Sequence, residues 1–457
     1  MSKPLAKLPR EAADFLAAHP ETEAVDAIFA DLSGIVRGKR YPIGYLGKLY
    51  EGAVALPASV FLLDTMGTSH DPGGRGFSDG DPDAAVKVIP GSLKPVPWAD
   101  RPHCQVMITL EEDGAPYAFE PRNVLARTVE RIGELGLRPV VAFELEFYLL
   151  DRKRAEGGLP QPPVSPLTGE RDSGTQVYGM AEVDSFAGLL EEITAACRAQ
   201  DIPTGAITKE YAPGQYEINL QHVDDPLLAA DHCVMFKRAI KGVARRHGIQ
   251  ATFMAKPYLE QAGSGMHLHI SLLDEGGQNV FDGGEAPASR TLEQAVGGIL
   301  DILPESMAFL APNTNSYRRY KPNIFVPIRR CWGFENRSAA LRIPLGEGAA
   351  RRIEHRVAGA DANPYLVLAT ALAGIHHGIT RDITPPPAFE GNAGYAVDEG
   401  LPLRPRRALE CLLESKVLAD YFGAEYPGVY AACKTAEQDV FEEAISAQEY
   451  AWYLQAE

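Results

Sequence analysis

The chain has 457 residues, long enough for two to four domains and a sizeable core. Its 44 Lys and Arg stand against 61 Asp and Glu, a formal charge of −17 that argues against general binding to nucleic acid or to an anionic membrane surface. A hydrophobic share of 45% with 23% charged residues excludes wholesale disorder.

The six cysteines, at 104, 197, 233, 331, 411 and 433, form no CxxC pair, so reduced thiols are expected rather than a disulfide framework or a zinc ribbon. The opening MSKPLAKLPREAADFLAAHPE has no apolar run long enough for a signal peptide, and no stretch of 18 apolar residues exists for a spanning helix. The expected location is the cytoplasm.

In chain order, residues 9–18 pattern as a short amphipathic helix. AVDAIFADL (24–32), AAVKVI (84–89) and CQVMITL (104–110) pattern as strands, and DPGGRGFSDGDPD (71–83) as a loop. EEDGAP, 111–116, is a turn signal and an expected domain boundary. A helix follows, with Pro121 fitting its first turn and Gly136 its stop. A Pro-rich loop spans 157–174, and helical patterns cover 185–200 and 226–247. The irregular alternation predicts an α+β chain rather than a doubly wound parallel sheet. No GxxxxGK[ST] loop and no GxGxxG after a strand is present, so a nucleotide would bind by other means.

Four strand-like segments share one feature. Consecutive strand side chains point to opposite faces. Over 140–150, Val141, Phe143, Leu145, Phe147 and Leu149 oppose Glu144 and Glu146. Over 215–221, Tyr216, Ile218 and Leu220 oppose Gln215, Glu217 and Asn219. Over 266–272, four apolar residues oppose His267, His269 and Ser271, and over 352–356 Arg352, Glu354 and Arg356 share a face. A half-solvated sheet is the plain reading of any one strand. The restricted vocabulary of all four (Glu-x-Glu, His-x-His, Arg-x-Glu-x-Arg) points instead to a cation. Carboxylates with one imidazole suit Mg²⁺ or Mn²⁺, and zinc less well. Arg318, Arg319, Arg329, Arg330, Arg337, Arg342, Arg351, Arg352 and Arg356 cluster nearby in sequence. Guanidinium forks match phosphate and carboxylate, so phosphoryl chemistry is the expectation and surface ion pairing the alternative.

Taken in order, VDAIFADLSGIVRGKRYP, FELEFYLLD, KEYAPGQYEINL, ATFMAKPYLEQAGSGMHLHISL, APNTNSYRRYKP, ENRSAALRIP and RRIEHRVAGADANPYL closely resemble the glutamine synthetase family, from about residue 20 to the end. The resemblance implies a small N-terminal β-grasp-like domain (20–112) and a larger catalytic domain (113–457) with a curved antiparallel sheet. It implies a homo-oligomeric double ring, often a dodecamer, with active sites between subunits. Carried over by motif, Glu146, Glu210 and Glu217 resemble ligands of one metal, and Glu144, His267 and Glu354 ligands of the metal that bridges the ATP phosphates. Arg319 and Arg356 resemble the pair that holds the α-carboxylate of glutamate, with Gly263 a backbone contact. Arg337, Arg342 and Arg352 resemble phosphate ligands, Arg337 acting on the transferring phosphoryl group. His269 and Ser271 resemble nucleotide contacts. Asp64, in VFLLDTMG, matches the position that takes the proton of the incoming amine, in its own site or a neighbour's.

One departure bears on the substrate. Ammonia-using members carry a Glu in the flap after NSYxR, and here that position is Phe325. An aromatic ring offers an alkyl chain apolar contact and adds cation–π attraction of about 0.5–2 kcal/mol. The expected acceptor is therefore an organic amine, and wider similarity runs to the γ-glutamylpolyamine synthetase branch, including γ-glutamylputrescine synthetases. Phe61 and Met66 are further candidates to line the acceptor pocket. Position 262 is Ala where ammonia users often have Asn, and the loop around Tyr395 differs from the modifiable one of some members, so no adenylylation is expected. An ammonia-using glutamine synthetase, a catalytically silent assembly protein and a metal-dependent hydrolase stay open as alternatives.

Overall fold

The computed structural model describes residues 8–395 and 397–456. The first sheet has seven strands: β1 (Ala24–Ala30), β2 (Val36–Pro42), β3 (Ala55–Pro57), β4 (Asp83–Val88), β5 (Lys94–Pro95), β6 (His103–Glu112) and β7 (Ala115–Pro116). Its order is β2-β1-β6-β4-β3, with β5 and β7 also on β6. β1 and β6 pair in parallel and every other pair is antiparallel. The turn expected over 111–116 is a hairpin inside this sheet. Asp113 and Gly114 take φ of 51° and 78°, the left-handed pair that a two-residue hairpin requires, and β7 returns on β6.

The second sheet has eight strands: β8 (Arg138–Asp151), β9 (Thr204–Lys209), β10 (Gln215–Leu220), β11 (Ile249–Thr252), β12 (Met266–Leu273), β13 (Trp332–Phe334), β14 (Leu341–Ile343) and β15 (Ile353–His355). Its order is β13-β14-β15-β12-β8-β10-β9, with β11 also on β8. It is antiparallel, as expected, except for the parallel pair β13/β14, which makes the sheet mixed at that edge. The strand expected over 352–356 is observed as Ile353–His355, and Arg356 N–H still donates to Ala340 O (3.0 Å), in register with β14.

The back of this sheet is the core. Val141, Phe143, Leu145, Phe147 and Leu149 of β8, and Met266, Leu268, Ile270 and Leu272 of β12, are all buried against helices. Pro226–Arg246 packs on β8 and β11. Its start is set by Pro226 in the first turn and by Asp225, whose carboxylate accepts from Leu227 N (2.9 Å) and Leu228 N (3.1 Å). Pro364–Thr380 is apolar all round and correspondingly buried, packing on Arg290–Asp301 and Pro121–Glu134. The latter begins at Pro121 and stops before Gly136 at φ 69°, as its end signals predict. All six cysteines are free thiols. Among the described residues no helix is long and apolar enough to cross a membrane.

Candidate active site

Strand register brings the polar stripes onto one face. Directly opposite residues in an antiparallel pair share a face. Glu144 of β8 lies opposite Asn219 of β10 and His267 of β12, and Glu146 lies opposite Glu217. His269 lies opposite Glu354 of β15, which lies opposite Arg342 of β14. Two groups, Glu144/Glu217/His267 and Glu144/His269/Glu354, each place ligand atoms within 4.8 Å of one another.

The face is mostly buried, and its charges are unevenly matched. His267 Nδ1 (2.8 Å) and His269 Nε2 (3.3 Å) donate to the two oxygens of Glu144, and Asn219 Nδ2 donates to Oε2 at 2.8 Å. Arg352 Nε donates to His269 Nδ1 (3.2 Å), which leaves the ring proton of His269 on Nε2. Burial alone would raise Glu144, but the bonds to His267 and His269 outweigh it and hold Glu144 well below the usual carboxylate range. Glu354 accepts from Arg342 Nη1 (2.7 Å) and from Arg356 Nη1. Its burial is overcome by those guanidiniums and the two imidazoles, and its carboxyl sits at about 2. Glu217 has no such help, and for Glu210 the Tyr211 N–H and His267 offset too little. Burial, then the charges of Glu144, Glu146 and Glu210, push Glu217 up to about 10, and burial with Glu146 pushes Glu210 up to about 7. Carboxylates that resist ionisation beside other carboxylates are the donor set a hard divalent cation would complete, so the residues fit such an ion.

Glu210 reaches the face from a loop, one residue beyond β9. Lys209, fully buried, donates to Glu210 O (2.8 Å) and Ala212 O (2.7 Å), and Asp172 lies 3.6 Å from its ammonium. Gly214 completes the turn at φ 72°, where a Cβ would also meet Leu149 O at 2.7 Å. Gln215 Nε2 donates to Glu146 Oε2 (3.1 Å) and Gly263 O (3.0 Å), and Gly265 N donates to the same Glu146 oxygen (2.9 Å). Gln215, Asn219 and Lys209 were not among the expected site residues. The first two do lie on the polar stripe of β10, which was the signal available.

Arg319 lies beside this face, only 2% exposed, with Nη1 donating to Val357 O (3.2 Å) and Nε without a partner. Gly263 is flush against it: a Cβ there would stand 2.6 Å from Arg319 Cγ. Such a guanidinium is prepared for an anion. Arg356 is buried, its Nε donating to Arg337 O (3.1 Å). Ser271, at the far end of the β12 stripe, donates to Arg351 O (3.0 Å). Arg337 is exposed and lines a cavity of about 660 Å³ together with Phe325, Phe334, Asn336 and Phe389. Phe325 is 71% exposed there.

Asp64 is not brought to this face within one chain. It lines a separate cavity of about 850 Å³ between the 64–70 loop and the helices Pro226–Arg246 and Tyr426–Glu443, which shares no lining residue with the carboxylate face. Met66 lines that cavity too, whereas Phe61 is core, packed against Phe29 and Tyr117, and is no candidate for an acceptor pocket. Tyr395 is exposed at the end of a short 3-10 turn.

Residues 118–453 match the model of the glutamine synthetase catalytic domain. The chain belongs to the glutamine synthetase family. Members of this family use ATP and divalent metals. The chain is 44% identical to the gamma-glutamylputrescine synthetase of Escherichia coli K12, covering 97% of this chain and 94% of that one. It is 32% identical to the glutamate–isopropylamine ligase of a Pseudomonas species, covering 96% of each. Among solved structures, a GmaS/ADP complex superposes with a TM-score of 0.83 at 25% identity, covering 97% of this chain and 99% of that one.

Proposed function

We propose that the protein is an ATP-dependent ligase joining the γ-carboxylate of L-glutamate to an organic amine, putrescine, another polyamine or a monoamine, through γ-glutamyl phosphate. The observation that carries the reading is an intact carboxylate, imidazole and arginine face on a chain alike over nearly its whole length to a γ-glutamylputrescine synthetase.

In this reading Glu146, Glu210 and Glu217 hold one divalent cation and Glu144, His267 and Glu354 another, with Mg²⁺ or Mn²⁺ suited to so oxygen-rich a set. Bound there, the cations supply neutralisation of the charge on the transferring phosphoryl group. Arg319 and Arg356 grip the α-carboxylate of glutamate against the Gly263 backbone, and the unpartnered Arg319 Nε supports this. Arg342 and Arg352 bind phosphate, His269 and Ser271 bind the nucleotide, and the exposed Arg337 faces the transferring group. The γ-carboxylate attacks the γ-phosphorus and ADP leaves. The amine then attacks the acyl carbon and phosphate leaves. An alkylammonium of pKa near that of Lys needs roughly 4–5 kcal/mol to become neutral at pH 7. Asp64 attracts that cation and takes its proton. Because Asp64 faces a cavity apart from its own chain's carboxylate face, we assign it to a neighbouring subunit's site in a ring homo-oligomer, in the family's manner a double ring of twelve. The first sheet is then the domain that the neighbour uses, with the boundary moved from 112–113 to just beyond the β6/β7 hairpin, and we assign the reaction to the cytoplasm. Phe325 sets the acceptor class by removing the flap carboxylate and offering a ring to an alkyl chain.

The test is glutamate-dependent phosphate release from ATP and Mg²⁺ across ammonia, putrescine, cadaverine, spermidine, ethanolamine and aromatic monoamines, with products identified by mass. Turnover with one organic amine far above ammonia is expected. Comparable or better turnover with ammonia would make the protein a glutamine synthetase and leave Phe325 without this role.

A further inference from the structure

Asp64 has a carboxylate whose acceptor capacity is nearly spent. Its Oδ1 accepts from Met66 N (2.8 Å) and Thr68 N (2.7 Å), which uses both lone pairs of that oxygen. Its Oδ2 lies 2.8 Å from His70 Nε2. An ionised carboxylate only accepts, so His70 Nε2 carries the proton of this bond. One lone pair, on Oδ2, is left for anything else: the backbone bonds to Oδ1 fix the carboxylate plane, and the imidazole fills the other Oδ2 position. The loop that holds this arrangement is itself tied down. Arg37 Nη2 donates to Asp64 O (2.8 Å) and its Nε to Asp31 Oδ2 (2.5 Å). Thr65 donates through N (2.7 Å) and Oγ1 (2.8 Å) to Glu437, which pairs with Lys434. The backbone is thus fixed without His70. The histidine fills one acceptor position of Oδ2 and contributes nothing to the loop's other anchors. Both Asp64 and His70 line the same cavity.

We propose that His70 is a positioning residue for amine activation: by filling one acceptor position of Asp64 Oδ2 it leaves a single lone pair, the one that meets the ammonium group of the acceptor. This rests on the role given to Asp64 above. The step balances simply. First an N–H bond of the ammonium breaks and an O–H bond forms on Asp64 Oδ2, the electron pair staying on nitrogen. That pair then bonds to the acyl carbon, the acyl–oxygen pair leaves with phosphate, and the phosphate takes the second proton that nitrogen loses as the amide forms. Asp64 then returns its proton to water. Without the imidazole both Oδ2 lone pairs stand open, and the incoming ammonium is no longer confined to one of them.

The experiment compares the full-length enzyme with His70→Ala and His70→Gln, using two acceptors near pH 7.5. One is the preferred amine of the panel, which arrives protonated. The other is hydroxylamine, a weak base that arrives neutral and needs no such help. In His70→Ala the ratio of amine to hydroxylamine turnover should fall at least tenfold, carried by the amine's kcat/KM with the KM for glutamate little changed. His70→Gln, whose amide N–H can replace the lost donor, should recover most of the ratio. A merely structural histidine would lower both acceptors in parallel, and that result, or an unchanged ratio, overturns the proposal. If His70→Ala does not fold, His70→Gln against His70→Leu carries the same comparison. Should the wild-type enzyme use ammonia in place of any organic amine, the acceptor class proposed above fails. The ratio is then read with ammonium, which also arrives protonated, so the two failures stay distinct.

Discussion

Glu120 offers a test of the electrostatics that join the first sheet to the helical layer. It is 2% exposed and stands just before the helix Pro121–Glu134. Its Oε2 accepts from Thr109 Oγ1 (2.7 Å), Leu110 N (3.1 Å) and Asn123 Nδ2 (3.2 Å), stitching β6 to that helix. Burial outweighs these bonds and the nearby Arg122, and raises the carboxyl from 4.5 to about 7. The sign follows from proton counting. Between pH 4.5 and 7 the folded chain holds a proton that the unfolded chain has released, so stability falls as pH rises. The contribution is fully present below 4.5 and is lost once pH passes 7. A shift of that size corresponds to about 3 kcal/mol in total.

Glu120→Gln keeps an oxygen for the same three donors and has no proton to lose. Its stability relative to wild type should therefore rise by about 3 kcal/mol between pH 4.5 and pH 8, on top of a pH-independent offset from the added amide hydrogens. Urea unfolding of both proteins at a series of pH values measures this, because titrations elsewhere cancel in the difference. A difference that stays flat within about 0.5 kcal/mol over that range would refute the reasoning, since additivity of distant sites holds to about that level.

The remaining expectations concern the site. Arg319→Lys replaces a fork by a point charge and should raise the KM for glutamate by about 30-fold, or about 2 kcal/mol, with a smaller change in kcat; an unchanged KM would remove Arg319 from carboxylate binding. Phe325→Glu should raise the ratio of ammonia to organic-amine turnover about tenfold or more, read from competing products by mass, and no shift would count against the flap residue as selector. Lys209→Met should weaken divalent-cation affinity by about 10–100-fold, measured calorimetrically, because the Glu210 loop loses its internal anchor. With Mg²⁺ at 100 times its Kd, wild type should gain about 2.7 kcal/mol of stability, and Glu217→Gln should lose most of that gain; equal gains in both would exclude Glu217 as a ligand.

Period-two patterning was a sufficient guide to β8, β10 and β12, because each is covered by helices behind and carries its polar residues in front. Register could not be read that way. That Glu146 faces Glu217, and Glu144 faces both His267 and Asn219, depends on long-range pairing between segments up to about 120 residues apart. Glu210 carries no periodic signal, since it lies in a loop beyond its strand and is placed by Lys209 and Gly214. His70 was invisible for the same reason: a loop histidine acquires meaning only from the carboxylate it touches. The turn at 111–116 was legible from its Asp-Gly pair, which takes the φ values of a hairpin, but the short strand it adds to the sheet carries too few residues for a pattern.

The charges of the face also divide it in a way no motif states. Glu354 meets two guanidiniums and Glu144 two imidazole N–H donors, so these carboxylates stay ionised with partners the chain itself supplies. Glu146 has only amide and backbone donors, and among the described residues neither Glu210 nor Glu217 is paired with a Lys, Arg or His. The deficit of positive charge therefore lies at the β10 side, where Glu217 is pushed up to about 10 and Glu210 to about 7. A buried carboxylate cluster costs most where it is least paired. The three residues that most need an external cation are the same three that the family resemblance groups around one metal. The β15 side has the opposite character. Its arginines already neutralise Glu354, and a cation that took over that carboxylate would release Arg342 and Arg356 toward anionic substrates, so cation and substrate binding at this end would reinforce each other.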